Sequence, residues 1–338
     1  MVDMTLKMVN RISAKDLLDM KEMDEKLSIS MHFYNIMGTA AYFGKHEMIH
    51  FVACRMVWLT MKNGLCKHSI LGFVQFSGVI FRAKKCAESA SRIGKAAMSC
   101  CRERYNTHDM VPNLYATYYG FIAPYTEPLQ TCADMLRQGF DAGISLGETG
   151  TAFFNASLHI RTAMMAGERL PTLMEQVDYY LELINAYQNE IAKPYLSIFR
   201  GTISILIDNG ESTSSARHAI DVPTNTTNAN MLETIFFHSA IQAYWQGHNE
   251  RCQYWINKFL LHTTPDISDM CRFQFITFTQ GLNSFQLPIS KISIKFRTTL
   301  KKAIRVLNTA ASYSSWNFCN KVRCNQSFFD ALGVLFDT

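Results

Sequence analysis

Apolar residues return every third or fourth position along almost the whole chain. Met48, Ile49, Val52, Ala53, Met56, Val57 and Met61 form one such stripe. Leu170, Leu173, Val177, Leu181 and Ile184 form a second, and Phe33, Ile36, Met37 and Ala40 a third. A period near 3.6 predicts α-helices, and no long stretch alternates with the period of two that a half-buried strand shows. First helices are expected near 28–43, 68–84, 110–122, 149–166, 194–208, 230–246 and 267–286. Second helices are expected near 46–63, 86–106, 127–147, 170–190, 248–262 and 294–312, and a last one over about 316–336.

The first members of the early pairs begin about 40 residues apart, a little more than the roughly 34 of a tetratricopeptide repeat. The fold class expected is therefore all-α, an α-solenoid of stacked antiparallel helix pairs. Glycine recurs where the apolar stripe stops, in Tyr42-Phe43-Gly44-Lys45, Met165-Ala166-Gly167-Glu168 and Trp245-Gln246-Gly247-His248. A left-handed residue commonly ends a helix, and glycine takes that conformation without steric cost. Gly139, Gly143 and Gly147 are spaced by four, so they share a helix face open to close approach, and Gly147 is placed to cap that helix. Residues 1–15 read as an N-terminal tail and 16–208 as a first block of repeats. Residues 209–229, polar and without a period, read as a surface loop whose Ser/Thr cluster beside Arg217 is open to phosphorylation, and 230–338 as a second block.

Composition narrows the class further. The chain has 338 residues, 48% hydrophobic and 18% charged, with 8 prolines and 17 glycines, too few breakers for a turn-rich all-β fold. The net charge of +5 is spread along the chain, without the clustered basic stripe of a nucleic-acid binder. The N-terminus lacks the apolar core of a secretory signal. The longest apolar stretch, Ile70 to Phe81, is broken by Gln75 and Ser77, so no membrane span is expected. Ten cysteines at irregular spacing, with no C-x-x-C, read as reduced and mostly buried thiols of a cytoplasmic protein.

Three segments carry candidate chemistry. His46-Glu47-Met48-Ile49-His50 matches H-E-x-x-H, two histidines one helical turn apart with a glutamate as general base. A zinc hydrolase at residues 46–50 is thus the alternative function. It lacks a third ligand, because Ala53 and Met56 stand where the extended motif needs glycine and histidine. The next glutamate is Glu88, in the following repeat, and Met48, Ile49 and Val52 mark the expected buried side. Gly143-Ile144-Ser145-Leu146-Gly147 matches G-x-S-x-G, but a nucleophile elbow needs a strand before the serine and the pattern here is helical. In residues 291–305, Arg297, Lys301 and Arg305 share one helical face opposite Phe296, Leu300 and Ile304, a pattern that can bind an anionic membrane or a calmodulin-like partner but is more often a repeat helix with a solvated outer face. No nucleotide-binding or kinase motif occurs. No catalytic, metal or cofactor residue is therefore assigned, and the chain is expected not to be an enzyme.

Several blocks also carry a family resemblance. Leu17-Leu18-Asp19-Met20 and His46-Glu47-Met48-Ile49, running on to Val57-Trp58-Leu59-Thr60-Met61-Lys62-Asn63-Gly64, form the first block. Leu136-Arg137-Gln138-Gly139-Phe140-Asp141-Ala142-Gly143, with Leu146-Gly147-Glu148-Thr149-Gly150, form the second. The third is Ala166-Gly167-Glu168-Arg169-Leu170 with Tyr179-Tyr180-Leu181-Glu182-Leu183-Ile184. Over about residues 16–335 these resemble the tetratricopeptide-like middle region of large signalling proteins. Those proteins join a serine/threonine-kinase-like domain and an AAA-type ATPase to it, often followed by a GAF domain and a histidine-kinase module. The resemblance implies an all-α arm or scaffold that binds protein partners such as ATPase or kinase modules, and it carries over no catalytic residue.

Overall fold

The computed structural model describes residues 1–44, 48–84, 86–105, 108–208 and 228–262, with Ile276, Thr279 and Asn308 as single positions. Among the described residues there are thirteen α-helices and no strand. The chain divides into two compact units, Met1–Thr126 with Thr131–His159, and Glu127–Gln130 with Ile160–Thr338.

The first unit begins with α1 (Val2–Val9) and α2 (Ala14–Leu18). Residues 1–15, expected as a tail, thus contain a helix, and Thr5 and Val9 of α1 are buried where it packs on α4 and α5. Ser13 starts α2 with a capping box, its hydroxyl accepting from Asp16 N–H and its own N–H donating to Asp16 Oδ2. α3 (Glu25–Phe43), α4 (Met48–Asn63), α5 (Lys67–Lys84) and α6 (Ala87–Cys100) follow. α5 is apolar on every side and accordingly central: it packs on α1, α3, α4, α6 and α7 (Val111–Phe121). The apolar stretch Ile70 to Phe81 is this buried helix, and no described helix is long and apolar enough to cross a membrane. A π-helical turn, Cys101–Tyr105, swings Arg104 onto the C-terminal carbonyls of α2, donating to Leu18 O and Met20 O and pairing with Glu22 at 2.7 Å.

α8 (Leu129–Ser145) and α9 (Thr149–Ala166) meet along the predicted glycine face. A Cβ at Gly139 would overlap the Asn155 carboxamide, and one at Gly143 would press on Ala152. The later helices are α10 (Leu170–Ala186), α11 (Lys193–Ile207), α12 (Ala229–Trp245) and α13 (Asn249–His262), and α10 to α13 pack consecutively. The stripe on α10 is buried largely as its period requires, at Leu173, Val177 and Ile184.

Four of these helices end alike. After α8, α9 and α12, Gly147, Gly167 and Gly247 take φ values of +74°, +82° and +73°, and the next residue donates back across the turn to Gly143 O, Ala163 O and Ala243 O. α10 ends with the same pair of bonds, but Gln188 holds the left-handed position at φ 53°. Gln188→Gly is therefore expected to stabilise the protein by about 0.5–1 kcal/mol, checked by its urea midpoint; an unchanged or lower midpoint contradicts the account. Gly44 departs from the expected pattern. Its φ is −78°, a right-handed end to α3, so its place in the sequence marks the helix stop without the left-handed turn.

α3 also corrects the expected burial. Its inner face is Met31, Asn35, Gly38 and Ala41, whereas Phe33, Ile36, Met37 and Ala40 point outward. On α4, Met48 is likewise exposed, and the buried side is Val52, Ala53, Met56 and Val57. The segments expected as helices over 267–286, 294–312 and 316–336, most of the loop 209–229 and the basic helix at 291–305 lie outside the described residues.

Candidate functional site

Of the chemical motifs of the sequence, one falls wholly and one partly among the described residues. His46 and Glu47 lie outside those residues, while His50 sits in the first turn of α4. No group of three His, Cys, Asp or Glu side chains placed to hold a metal occurs among the described residues. Ser145 is the last residue of α8, and its hydroxyl donates to Ala142 O at 2.8 Å. A helix, not a strand, leads into it, so nothing raises the side chain for attack. The described cysteines are all free and all but Cys86 are buried; burial pushes the Cys100 thiol up to about 11 and Cys252 to about 12, far from a reactive thiolate.

Two polar clusters join neighbouring helices, one half-buried and one buried in the core. In the first unit the His32 and His68 rings lie 4.7 Å apart, and Asn35 Nδ2 approaches His68 Nδ1 at 3.3 Å. Burial, then the charges of His32 and Lys67, hold His68 down to about 4 against the opposing pull of Asp109. His68 is therefore neutral near pH 7, with Nδ1 accepting from Asn35. In the second unit Thr202 Oγ1 donates to Ile198 O at 3.0 Å and accepts from Gln242 Nε2 at 2.9 Å. His238 Nδ1 lies 3.0 Å from the same hydroxyl. The network satisfies buried polar groups of the core.

The first unit does contain a cavity of about 130 Å³, partly open to solvent, walled by α3, α5, α7 and the start of α9. Its floor is the buried trio Val79, Ala116 and Ile122. Three aromatic rings form one side: Phe121 and Phe154 stack at 6.4 Å, and Tyr42 stands edge-on to both at 5.4 and 6.0 Å. Arg82, Asn113 and Thr117 supply polar edges, and Gly150 and Thr151 of the first turn of α9 border it. Gln75 reaches from α5 to α3 because Gly38 leaves room; a Cβ there would lie 2.9 Å from Gln75 Oε1. The Oε1 atom is buried and has no hydrogen-bond partner. No acidic side chain is among the described lining residues. Ile49 of α4 lines the same cavity.

The second feature is the outer face of α3. Ile29 is 54% exposed, Phe33 61%, Ile36 54% and Met37 39%. The spacing i, i+4, i+7 places Ile29, Phe33 and Ile36 on one stripe, with Ala40 continuing it a turn further on. No residue between Lys26 and Lys45 carries a formal charge. A helix apolar on both faces ordinarily has both covered.

Sequence reasoning located the α3 stripe but not its direction, and it missed the cavity. One signal was available: Gln75 interrupts an otherwise apolar run, and a polar residue inside a helix buried all round faces either a partner or a cavity. No protein-family model matches the chain, and neither a curated protein nor a solved structure matches it.

Proposed function

We propose that this chain is a non-catalytic helical-repeat scaffold, an α-solenoid of tetratricopeptide-like pairs. In this proposal it binds a protein partner by receiving an apolar helix of that partner along the outer face of α3. The observation that carries the reading is the uncharged stripe of Ile29, Phe33 and Ile36, exposed on a helix whose other face is already buried. Its spacing is the register in which amphipathic helices dock, and its lack of charge selects an apolar, neutral counterface. The solenoid assignment is supported by helices that recur about every 20 residues from α8 to α11 with one shared turn geometry, and by consecutive packing from α10 to α13. The resemblance in the sequence points to ATPase or kinase modules of a signalling assembly as the source of the partner helix.

The test uses a photo-crosslinking residue in place of Ile29 in the full chain, with the crosslinked peptide sequenced. An amphipathic helix of a different protein is expected, and its loss in Phe33→Glu and Ile36→Glu variants. Both substitutions should move stability by no more than about 0.5 kcal/mol, because they sit in solvent. Crosslinks to a second copy of the chain, or a loss of several kcal/mol on either substitution, would overturn this proposal, since the latter is what a core position gives.

A further inference from the structure

The cavity of the first unit has chemistry that protein docking on the outer face of α3 does not use. We propose that it binds a small neutral phenol. Glycines in its lining help to leave the space open. Among the described residues, a Cβ at Gly78 would have its nearest neighbour in Ile122 Cδ1, 4.0 Å away, and one at Gly150 would meet nothing within 4 Å. The size fits one six-membered ring: an engineered apolar cavity of about 150 Å³ takes up benzene, and this one measures about 130 Å³. Its walls suit a ring as well. Phe121 and Phe154 are held by packing on Ala116, Leu136 and Leu158, and Tyr42 stands edge-on to both. Edge-on and offset contacts between rings are favourable, so these walls prefer an aromatic ring to an alicyclic one.

The polar lining calls for one hydroxyl on that ring. Gln75 Oε1 is buried beside Gly38 without a hydrogen-bond partner. The last torsion of a glutamine is broad, so the carboxamide turns toward the cavity without leaving a favoured rotamer. A phenolic hydroxyl satisfies it in either orientation, donating to its oxygen or accepting from its nitrogen. Thr39 and Thr117, also in the lining, donate their own protons to Asn35 O at 3.1 Å and to Asn113 O at 2.9 Å. Each hydroxyl oxygen keeps acceptor capacity, which again favours a ligand that brings a donor. Arg82 at the edge already has a partner of its own, so recognition rests on the ring and its hydroxyl and not on charge. A bare hydrocarbon ring would leave Gln75 unpaired. A carboxylate, which only accepts, would set its oxygens against those of Thr39 and Thr117.

The experiment titrates the full-length protein with 4-fluorophenol, fluorobenzene and 4-fluorobenzoate, each followed by its fluorine NMR signal. Saturable 4-fluorophenol binding is expected. Fluorobenzene, which lacks the hydroxyl, and 4-fluorobenzoate, which replaces it with a charge, should each bind about tenfold more weakly, the usual weight of one buried hydrogen bond. Gln75→Leu should weaken 4-fluorophenol about tenfold and leave fluorobenzene unchanged, so that the two probes become alike. Gly78→Ala is a steric arm that keeps the fold: its methyl would make an ordinary contact with Ile122 while narrowing the cavity. It should lower the affinity for 4-fluorophenol and fluorobenzene together. No saturable 4-fluorophenol binding, fluorobenzene or 4-fluorobenzoate binding as tightly as 4-fluorophenol, or 4-fluorophenol binding unmoved by both Gln75→Leu and Gly78→Ala would overturn the proposal. Because the wild-type comparison of the three probes needs no variant, it stands even if one substitution unfolds the chain.

Discussion

Gly64→Ala is expected to cost about 3–5 kcal/mol, the sum of a forced backbone conformation and an overpacked contact. Gly64 follows α4 at φ +109°, a region that residues with a Cβ rarely adopt. A Cβ there would also overlap the carbonyl oxygen of Lys21 and lie 3.1 Å from that of Glu22. Those atoms are fixed, because Leu65 N–H donates to Lys21 O and Met23 N–H donates to Leu65 O, each at 2.9 Å, forming the isolated parallel bridge Glu22–Leu65. The bridge ties the segment before α3 to the turn between α4 and α5, over the cluster of Met23, Met31, Val52, Met56 and Cys66. Relieving the clash must therefore loosen that cluster. Urea unfolding measures the loss, and Gly167→Ala serves as comparison: it shares a positive φ, but nothing lies within 4 Å of its added methyl. Equal losses for the two variants would show that the contact at Gly64 contributes nothing.

Acid is expected to destabilise the first unit well above the carboxylate range. Burial holds His68 and His159 down to about 4 in the fold, from an ordinary value of 6.5, with Arg137 adding to the effect at His159. The unfolded chain therefore binds more protons than the native one between pH 6.5 and 4. Stability is independent of these two groups above about pH 6.5 and falls as the pH drops through the window. At pH 5 buried His159 contributes a loss of about 2 kcal/mol, and half-buried His68, screened by solvent, contributes less. Chemical denaturation across pH 4.5–7.5 should show this slope. His159→Gln should remove the larger part of it and His68→Gln a smaller part, and a slope unaltered in the double variant would assign the acid sensitivity to other groups.

Local interactions made most of the helix pattern legible in the sequence. α3 to α13 begin and end within a few residues of the positions that apolar periodicity and glycine punctuation indicate. The glycine face of α8 was readable because Gly139 and Gly143 are spaced by one helical turn, and the cap at Gly147 because a left-handed stop favours glycine. α1 was missed, since Met4 and Met8 lie exposed and its buried positions, Thr5 and Val9, make too short a stripe to register.

The sequence by itself thus determined that the chain is helical and where its described helices from α3 onward run. Period and capping depend on neighbours within four residues, and those are written in order. Which side of a helix is buried was decided only in tertiary structure. α3 is apolar all round, so its pattern offered two faces, and packing against α4 and α5 chose Met31, Asn35 and Gly38, leaving Ile29, Phe33 and Ile36 outside. The cavity was decided the same way. Tyr42, Gln75, Arg82, Phe121 and Phe154 come from four helices across more than a hundred positions, and only close packing, permitted by Gly38 beside Gln75, brings them around one space.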